Sequence, residues 1–350
     1  MASTKLAPSA IRAALNDTPK LRERDLAAKL GITEAQLVAA RVGQGATRIA
    51  AHPDRLMPAA ETLGEVMALT RNDACVHEKV GRYGNYHSGD HAAMVLMPEI
   101  DLRIFPSWWA TAFAVEKETE QGLRRSIQVF DAAGDAVHKI HLREGSDLDA
   151  WERIKADLAT GDTSDSLEVA ERKPPEAPKT RADKRDVLFA EWARLTDTHQ
   201  FLRLCSKLKM NRLGAYRMPD NPFVRRLGAP AVDAMFEGVR DRGIDFMYFV
   251  GNRGCIQIHS GPIHTLKEMG PWQNILDPGF DMHLRRDHIA EVYAVEKPTQ
   301  RGTALSVEAF DAEGTVIFQA FPLSKDTNDT RPQWAEIVAG LDTLETEAAE

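Results

Sequence analysis

The 350-residue sequence predicts two α+β domains in tandem, each an antiparallel sheet with flanking helices. The first reason is an internal repeat. Residues 112–137, AFAVEKETEQGLRRSIQVFDAAGDAV, and residues 292–317, VYAVEKPTQRGTALSVEAFDAEGTVI, align without gaps at an offset of 180. The offset persists through Asn72/Asn252, Cys75/Cys255, Gly81/Gly261, Leu96/Leu276, Pro98/Pro278 and Asp101/Asp281, and residues 71–142 show 18 identities in 72 positions. Average residue usage would give roughly 4, so the chain is a duplication. The second reason is local. β-favouring runs at Arg125–Phe130 and Ala304–Phe310 close on the turns Asp131-Ala-Ala-Gly134 and Asp311-Ala-Glu-Gly314, the pattern of a hairpin. The third is helical sequence upstream of each sheet region, at Asp25–Arg41 and Val187–Tyr216. Residues 160–186, rich in Pro and charge and poor in large apolar residues, read as a linker. The expected organisation is an N-terminal repeat 1–159, a linker 160–186 and a C-terminal repeat 187–350.

Composition excludes several classes. Forty-four Lys+Arg against 52 Asp+Glu leave a net charge of -8, without the basic footprint of a nucleic-acid or anionic-membrane binder. Three cysteines in a long chain argue against a disulfide framework and for a reducing compartment. No signal-peptide core opens the chain, and no apolar run approaches the roughly 18 residues of a membrane span, so a cytoplasmic protein is expected. CxxC, HExxH, Walker and GxSxG motifs are absent, as is a GxGxxG with its acidic partner, which removes the familiar zinc, nucleotide and hydrolase chemistries. His87 and His91 are four apart, but Gly89 disfavours the helix that would align them. His138 and His141, three apart in a strand, point to opposite faces.

His199 stands apart. In one helix over Phe189–Leu208, Trp192, Leu195, His199 and Leu202 would share a stripe that the imidazole interrupts. Alternatively, Asp197 and Thr198 cap a new helix with His199 in its first turn. The plain reading is a buried histidine bonded to a backbone carbonyl; the sharper one is an axial ligand, because haem iron takes a single neutral imidazole. A weaker alignment at offset 178 sets Leu21 opposite His199, leaving the imidazole to the second copy alone. A haem reading also demands cations for the propionates. Arg212 is available downstream. Arg103 and Phe105 share a strand face by period two, and their second-copy partners are His283 and Arg285; a solvated strand arginine is the plain alternative. Lys117 and Lys297, in the shared AVEK motif, fit a structural role as readily as propionate binding.

The segments RNDACVHEKVGRY, PEIDLRIF, FDAAGDAVHKI, TDTHQF, GNRGCIQIHSG, EMGPWQNILDP and AVEKPT resemble, in this order, the bacterial cytoplasmic haem-degrading and haem-trafficking factors of the HmuS/HemS (hemin transport protein) type. The resemblance runs from about Arg22 to about Trp334 and implies tandem α+β repeats with one b-type haem, as ligand or substrate, in a cleft between them. It implies that His199, in Asp197-Thr-His-Gln-Phe201, is the haem-iron ligand. Arg103 and Phe105 would cover the distal side, with Arg103 as the residue of any catalysis. Arg212, Lys297 and the Phe318-Gln319 pair would make the propionate and pocket contacts. Phe318 stands where the family carries a hydroxyl-bearing aromatic, which removes one hydrogen bond. The tail Pro322–Pro332 is longer than the family's, and Lys325 is the available substitute for its arginine. His77, in CVHE, is an alternate haem-contacting histidine, though a surface strand histidine is the plain reading.

The function expected is a cytoplasmic haem-binding protein of iron acquisition that accepts imported haem and traffics it, degrades it, or both. Degradation in the manner of a haem oxygenase would need an external electron donor, since no flavin or NAD motif is present. The partners implied are haem, a haem importer, and a downstream haem oxygenase or an electron-donating reductase. Two rivals are a carrier without catalysis and a repeat protein binding some other apolar anion. A third is a helix-turn-helix at Arg24–Val38, whose second helix begins Glu34-Ala-Gln36 and has no cation there for phosphate.

Overall fold

The computed structural model describes residues 6–325 and 327–344, without the Lys325 side chain, so the substitution expected of Lys325 lies outside the described residues. Two compact units form. One takes residues 77–173, the chain before 72 and a short insert, 251–257; the other takes 72–76, 174–250 and the chain from 258.

The first unit runs α1 (Pro8–Asp17), α2 (Glu23–Leu30), α3 (Glu34–Ala39), β1 (Ala46–Ile49), α4 (Pro53–Glu61), β2 (Glu65–Arg71), β3 (Cys75–Arg82), β4 (Tyr86–His87), β5 (Ala93–Leu96), β6 (Asp101–Ile104), β7 (Thr111–Thr119), β8 (Gly122–Phe130), β9 (Ala136–Leu142) and α5 (Leu148–Asp157). Strands β1, β7, β8, β9 and β2 pair antiparallel in that order. So do β4, β5 and β6. The helical sequence over Asp25–Arg41 forms two helices with a turn between them, because Gly31 adopts left-handed backbone at φ 67° to end α2 and Thr33 and Gln36 cap each other to start α3. This is a helix-turn-helix in outline only. Ala35, Leu37, Val38 and Ala39 are buried and Glu34 pairs with Lys139, so α3 has no face to lay in a DNA groove.

The second unit runs α6 (Arg185–Trp192), α7 (Gln200–Lys207), α8 (Arg212–Tyr216), β10 (Val224–Leu227), α9 (Ala231–Arg242), β11 (Phe246–Gly251), β12 (Cys255–Gly261), β13 (Leu266–Met269), β14 (Trp272–Asp277), β15 (Phe280–Arg285), β16 (Glu291–Thr299), β17 (Gly302–Phe310), β18 (Val316–Pro322), a short ribbon and α10 (Arg331–Ala339). Strands β10, β16, β17, β18 and β11 pair antiparallel. One face of this sheet sets Val292, Val307 and Phe318 against Phe236, Val239 and Trp334. The other sets Tyr293, Val295 and Phe310 beneath Trp192, Phe201 and Tyr216 of α6–α8. The expected turns recur in both copies: Asp131 accepts from the backbone of Asp135 at 3.0 Å and Asp311 from that of Thr315 at 2.7 Å.

Residues 160–181 form no helix or strand, yet they are pinned along their length. Arg48 donates to the Ser164 and Ser166 carbonyls at 3.1 and 2.7 Å, and Thr180 donates to the Gly214 carbonyl at 3.1 Å. The asparagines shared by the copies do the same work. Asn72 closes a turn by accepting from Cys75 N and donates to the Ile317 carbonyl; Asn252 accepts from Cys255 N and donates to the Val137 carbonyl, 180 residues earlier.

A buried hydrogen-bond chain distinguishes the first unit. Tyr83 donates to His138 Nε2 at 2.5 Å, His138 Nδ1 donates to Thr70 at 2.8 Å, Thr70 donates to Gln257 Oε1 at 3.0 Å, and Gln257 donates to the Ala68 carbonyl at 3.0 Å. Gln257 Oε1 only accepts, so the order of donors fixes His138 as the neutral Nδ1–H tautomer. Burial pushes the His138 pKa down to about 3. An unfolded histidine, near 6.5, binds a proton the folded one refuses, so stability is full above pH 6.5 and declines as pH falls toward 3. His138→Phe, the residue of the second copy at this place, should leave the Tyr83 hydroxyl without its acceptor and Thr70 without its donor, and cost about 2–3 kcal/mol at pH 7. In urea titrations from pH 7 to pH 4 the variant should also lose less stability than wild type.

Candidate functional site

The local sequence around His199 sets its exposure. α6 stops at Trp192, and Asp197 then accepts from both His199 N and His199 Nδ1, each at 2.7 Å. α7 starts at Gln200. A new helix does begin here, but after His199, which is its N-cap residue with no side-chain cap bond to the helix, rather than with His199 in its first turn; the continuous stripe is not adopted, since Trp192 and Leu195 are buried, Leu202 is half exposed, and the His199 side chain is 90% exposed. The buried-histidine reading falls with the stripe. With Nδ1 held by a carboxylate, Nε2 is the atom left facing outward. The two hydrogen bonds from His199 in turn hold the Asp197 carboxyl below its usual pKa.

α7 turns Phe201, Leu204 and Cys205 inward, and beneath Phe201 lies a buried charge cluster. Glu308, on β17, is 0% exposed. Its Oε1 accepts from Lys297 Nζ at 2.7 Å, Ser306 at 2.9 Å and Tyr216 at 3.0 Å, and its Oε2 accepts from Arg212 at 3.0 Å. Lys297 also donates to the Tyr216 hydroxyl at 2.9 Å, and its ammonium sits 5.1 Å from the Phe201 ring centre. Burial pushes the Glu308 carboxyl up, but Lys297 and Arg212 more than offset it and hold the pKa at about 2. Two cations against one anion leave a surplus of one positive charge. Arg212 is the outer member, 21% exposed, and Lys297 the inner one, 5% exposed. Lys297 acts here through its charge, since its ammonium is committed to Glu308 and Tyr216.

Arg212 is placed by the pinned segment. Asn211 caps α8 by accepting from Gly214 N and from Lys179 N, both at 3.0 Å. A Cβ at position 214 would stand 1.8 Å from the Lys179 carbonyl oxygen, so only glycine lets this segment lie on α8.

Phe318 and Gln319 cannot serve one pocket. They are neighbours on β18 and point to opposite faces. Phe318 is buried, 4.9 Å from the Tyr248 ring and 6.3 Å from that of Phe236, and is a core residue. Gln319 faces the other way, in register between Glu308 and Phe249. The aromatic that shares its face is Phe321, whose ring packs edge-on to Phe249 at 5.4 Å, both half-buried. Counting by twos from Gln319 finds Phe321; sequence reasoning took the adjacent Phe318 instead. Glu308 was also missed, although its first-copy partner, Gln128, marks it as a point of divergence.

The remaining candidates belong to the first unit. Arg103, on β6, is 33% exposed and pairs with the Asp101 carboxylate while donating to the Leu102 carbonyl at 3.1 Å. Phe105 follows on the same strand face and is half-buried, its N–H bonded to the Gly254 carbonyl at 3.0 Å. His77 is fully buried on β3, not a surface histidine, and its carbonyl accepts from Gln257. Lys117, the partner of Lys297, binds Glu23 of α2 at 2.9 Å. Only the second copy assembles the cation cluster.

The fold is a tandem α+β repeat, and its second copy carries both an exposed imidazole bonded to a carboxylate and a buried cationic cluster. The chain belongs to the family described as the haemin-degrading HemS.ChuX domain, whose model matches residues 31–158 and 209–341. It is 36% identical over 333 residues, 95% of this chain and 96% of the other, to the hemin transport protein HemS of Yersinia enterocolitica. It is 39% identical to holo-PhuS, a heme-binding protein of Pseudomonas aeruginosa, with a TM-score of 0.92 over 97% of this chain and all of that one. The heme-degrading enzyme ChuS of Escherichia coli O157:H7 is 32% identical with a TM-score of 0.85, covering 95% and 97% of the two chains. No described helix is long and apolar enough to cross a membrane.

Lys297→Met should leave Glu308 buried with one cation in place of two and lower stability by about 3 kcal/mol. A fall in the urea midpoint measures it; an unchanged midpoint would mean that Arg212 alone balances the carboxylate.

Proposed function

We propose that the chain is a haem-binding protein of haem utilisation, carrying haem as cargo and, when an electron donor is supplied, as substrate. The exposed His199 imidazole, its Nδ1 held by Asp197, in the copy that also buries a cluster with one surplus positive charge, carries the reading. A carboxylate on Nδ1 fixes the tautomer and raises the basicity of Nε2, the ligand atom. Haem needs that nitrogen, a cation near its propionates and flat apolar contact. Arg212 supplies the outer cation, Lys297 adds charge behind it, and Leu202, Phe249 and Phe321 supply apolar surface. Bound iron porphyrin brings its own redox chemistry; the chain holds and orients it.

For Arg103 and Phe105 the support is the family resemblance. Arg103 would contact bound haem, and its permanently charged guanidinium would serve there as a hydrogen-bond donor. The same resemblance supports a cytoplasmic protein that receives haem from an importer and meets a haem oxygenase or a reductase. The relatives' names, hemin transport protein and heme-degrading enzyme, cover both passing haem on and opening the ring.

Ferric haem should saturate wild type at one equivalent with a sharp Soret band, and His199→Ala should abolish it; an unchanged band in the variant refutes the ligand assignment. Asp197→Ala should keep the stoichiometry and weaken affinity about tenfold, the cost of losing a partner that orients a ligand. With a reductase and catalase present, decay of the Soret band to a linear tetrapyrrole with released iron identifies an enzyme. A stable band identifies a carrier.

A further inference from the structure

Glu308 does more than fill the interior. We propose that it is a positioning residue for the haem site, fixing the Arg212 guanidinium and the Lys297 ammonium on its two carboxylate oxygens, so that the site selects tetrapyrroles by a free carboxylate. The inference rests on the haem reading above and deepens it.

Geometry supports the assignment. Glu308 is the one group bonded to both cations, Arg212 through Oε2 and Lys297 through Oε1. Every other group facing Lys297 is neutral. From α8 comes the Tyr216 hydroxyl, whose pKa burial drives far up, from β17 Ser306, and from α7 Cys205, whose thiol burial pushes up to about 12. Without Glu308, Lys297 would face only Arg212 as a charged neighbour, in a dry pocket. Burial already lowers its pKa, and the Glu308 carboxylate is what raises it. An ammonium stripped of that support gives up its proton as pH rises, and Arg212 loses its anchor at the same time.

The first copy shows that the fold accepts the change. It carries Gln128 where the second carries Glu308, with the amide bonded to Ser126 at 3.2 Å, and Lys117 has moved to Glu23 of α2. Glu308→Gln therefore installs the residue that the first copy carries at the equivalent position of its own sheet.

The test is a set of titrations of full-length wild type, Glu308→Gln and Glu308→Asp with ferric haem and with ferric haem dimethyl ester, between pH 6.5 and pH 9. Comparing the ratio of variant to wild type cancels ionisation of iron-bound water, which all share. For haem, Glu308→Gln should lose about tenfold in affinity at pH 6.5 and progressively more toward pH 9. Glu308→Asp, which keeps the charge, should follow the wild-type profile. For the dimethyl ester, which has no carboxylate, the three proteins should bind alike, and that equality also shows that the Gln variant is folded. A Gln variant matching wild type in affinity and pH profile overturns the proposal, and so does an equal loss for acid and ester, or an Asp variant as weak as the Gln one. Failure of wild type to bind haem at one equivalent would instead overturn the functional reading, and this inference with it.

Discussion

A carboxylate with no access to water, on the middle strand of a five-stranded antiparallel run, is the constraint around which the second unit is arranged. Ionised Glu308 is tolerable only if several donors reach it, because desolvation costs several kcal/mol per ion and is recovered only by close, directed partners. Four arrive from three elements: Arg212 and Tyr216 from α8, Lys297 from β16 and Ser306 from its own strand. Meeting that requirement fixes where α8 lies on the sheet. α8 in turn is held by the pinned segment crossing Gly214, and α7 is laid over it with Phe201 on the Lys297 ammonium. His199 stands two residues before Phe201, so the charge pair in the core and the imidazole at the surface are parts of one placement.

Much of this was legible in the sequence, and the reason is duplication. An offset of 180 is enough to locate the strands, both Asp-x-x-Gly turns and the equivalence of Asn72 with Asn252, because side chains that close turns and pin hairpins are kept in both copies. His199 and Arg212 were also legible, through the Asp-Thr-His cap and through resemblance. Other features were not. Phe318 looked like a pocket residue because it adjoins Gln319, yet a strand sends neighbours to opposite faces, and the aromatic of that face is Phe321. His77 looked like a surface residue because alternation alone does not say whether both faces of a strand are covered. The assignment of 72–76 to the second unit and 251–257 to the first is a tertiary fact that no local pattern encodes.

The same duplication shows how a fold can be kept while its interior chemistry is exchanged. At equivalent positions the first unit has His138 where the second has Phe318, and Gln128 where the second has Glu308. The polar chain is thus buried against one sheet face in the first unit, and the ionic cluster against the other face in the second. Each is complete: the neutral chain runs donor to acceptor from Tyr83 to the Ala68 carbonyl, and the charged one accounts for both carboxylate oxygens of Glu308. A buried polar group left half satisfied costs more than an apolar one of the same shape.

That rule bears on why one copy carries the site. An exposed imidazole is inexpensive to acquire on a helix start, needing only an Asp two residues before it. A surplus cation at a protein surface is equally common and, in water, weakly directed. A cation set in the interior and aimed by a buried carboxylate keeps its field in a low dielectric, where it discriminates between a carboxylate and an ester far better than a solvated arginine can. The first unit pairs its equivalent lysine, Lys117, which is 38% exposed, with Glu23 of α2. It keeps the fold and gives up the field. On the reading proposed above, binding would follow the buried anion, and the histidine would be useful in the copy that has one.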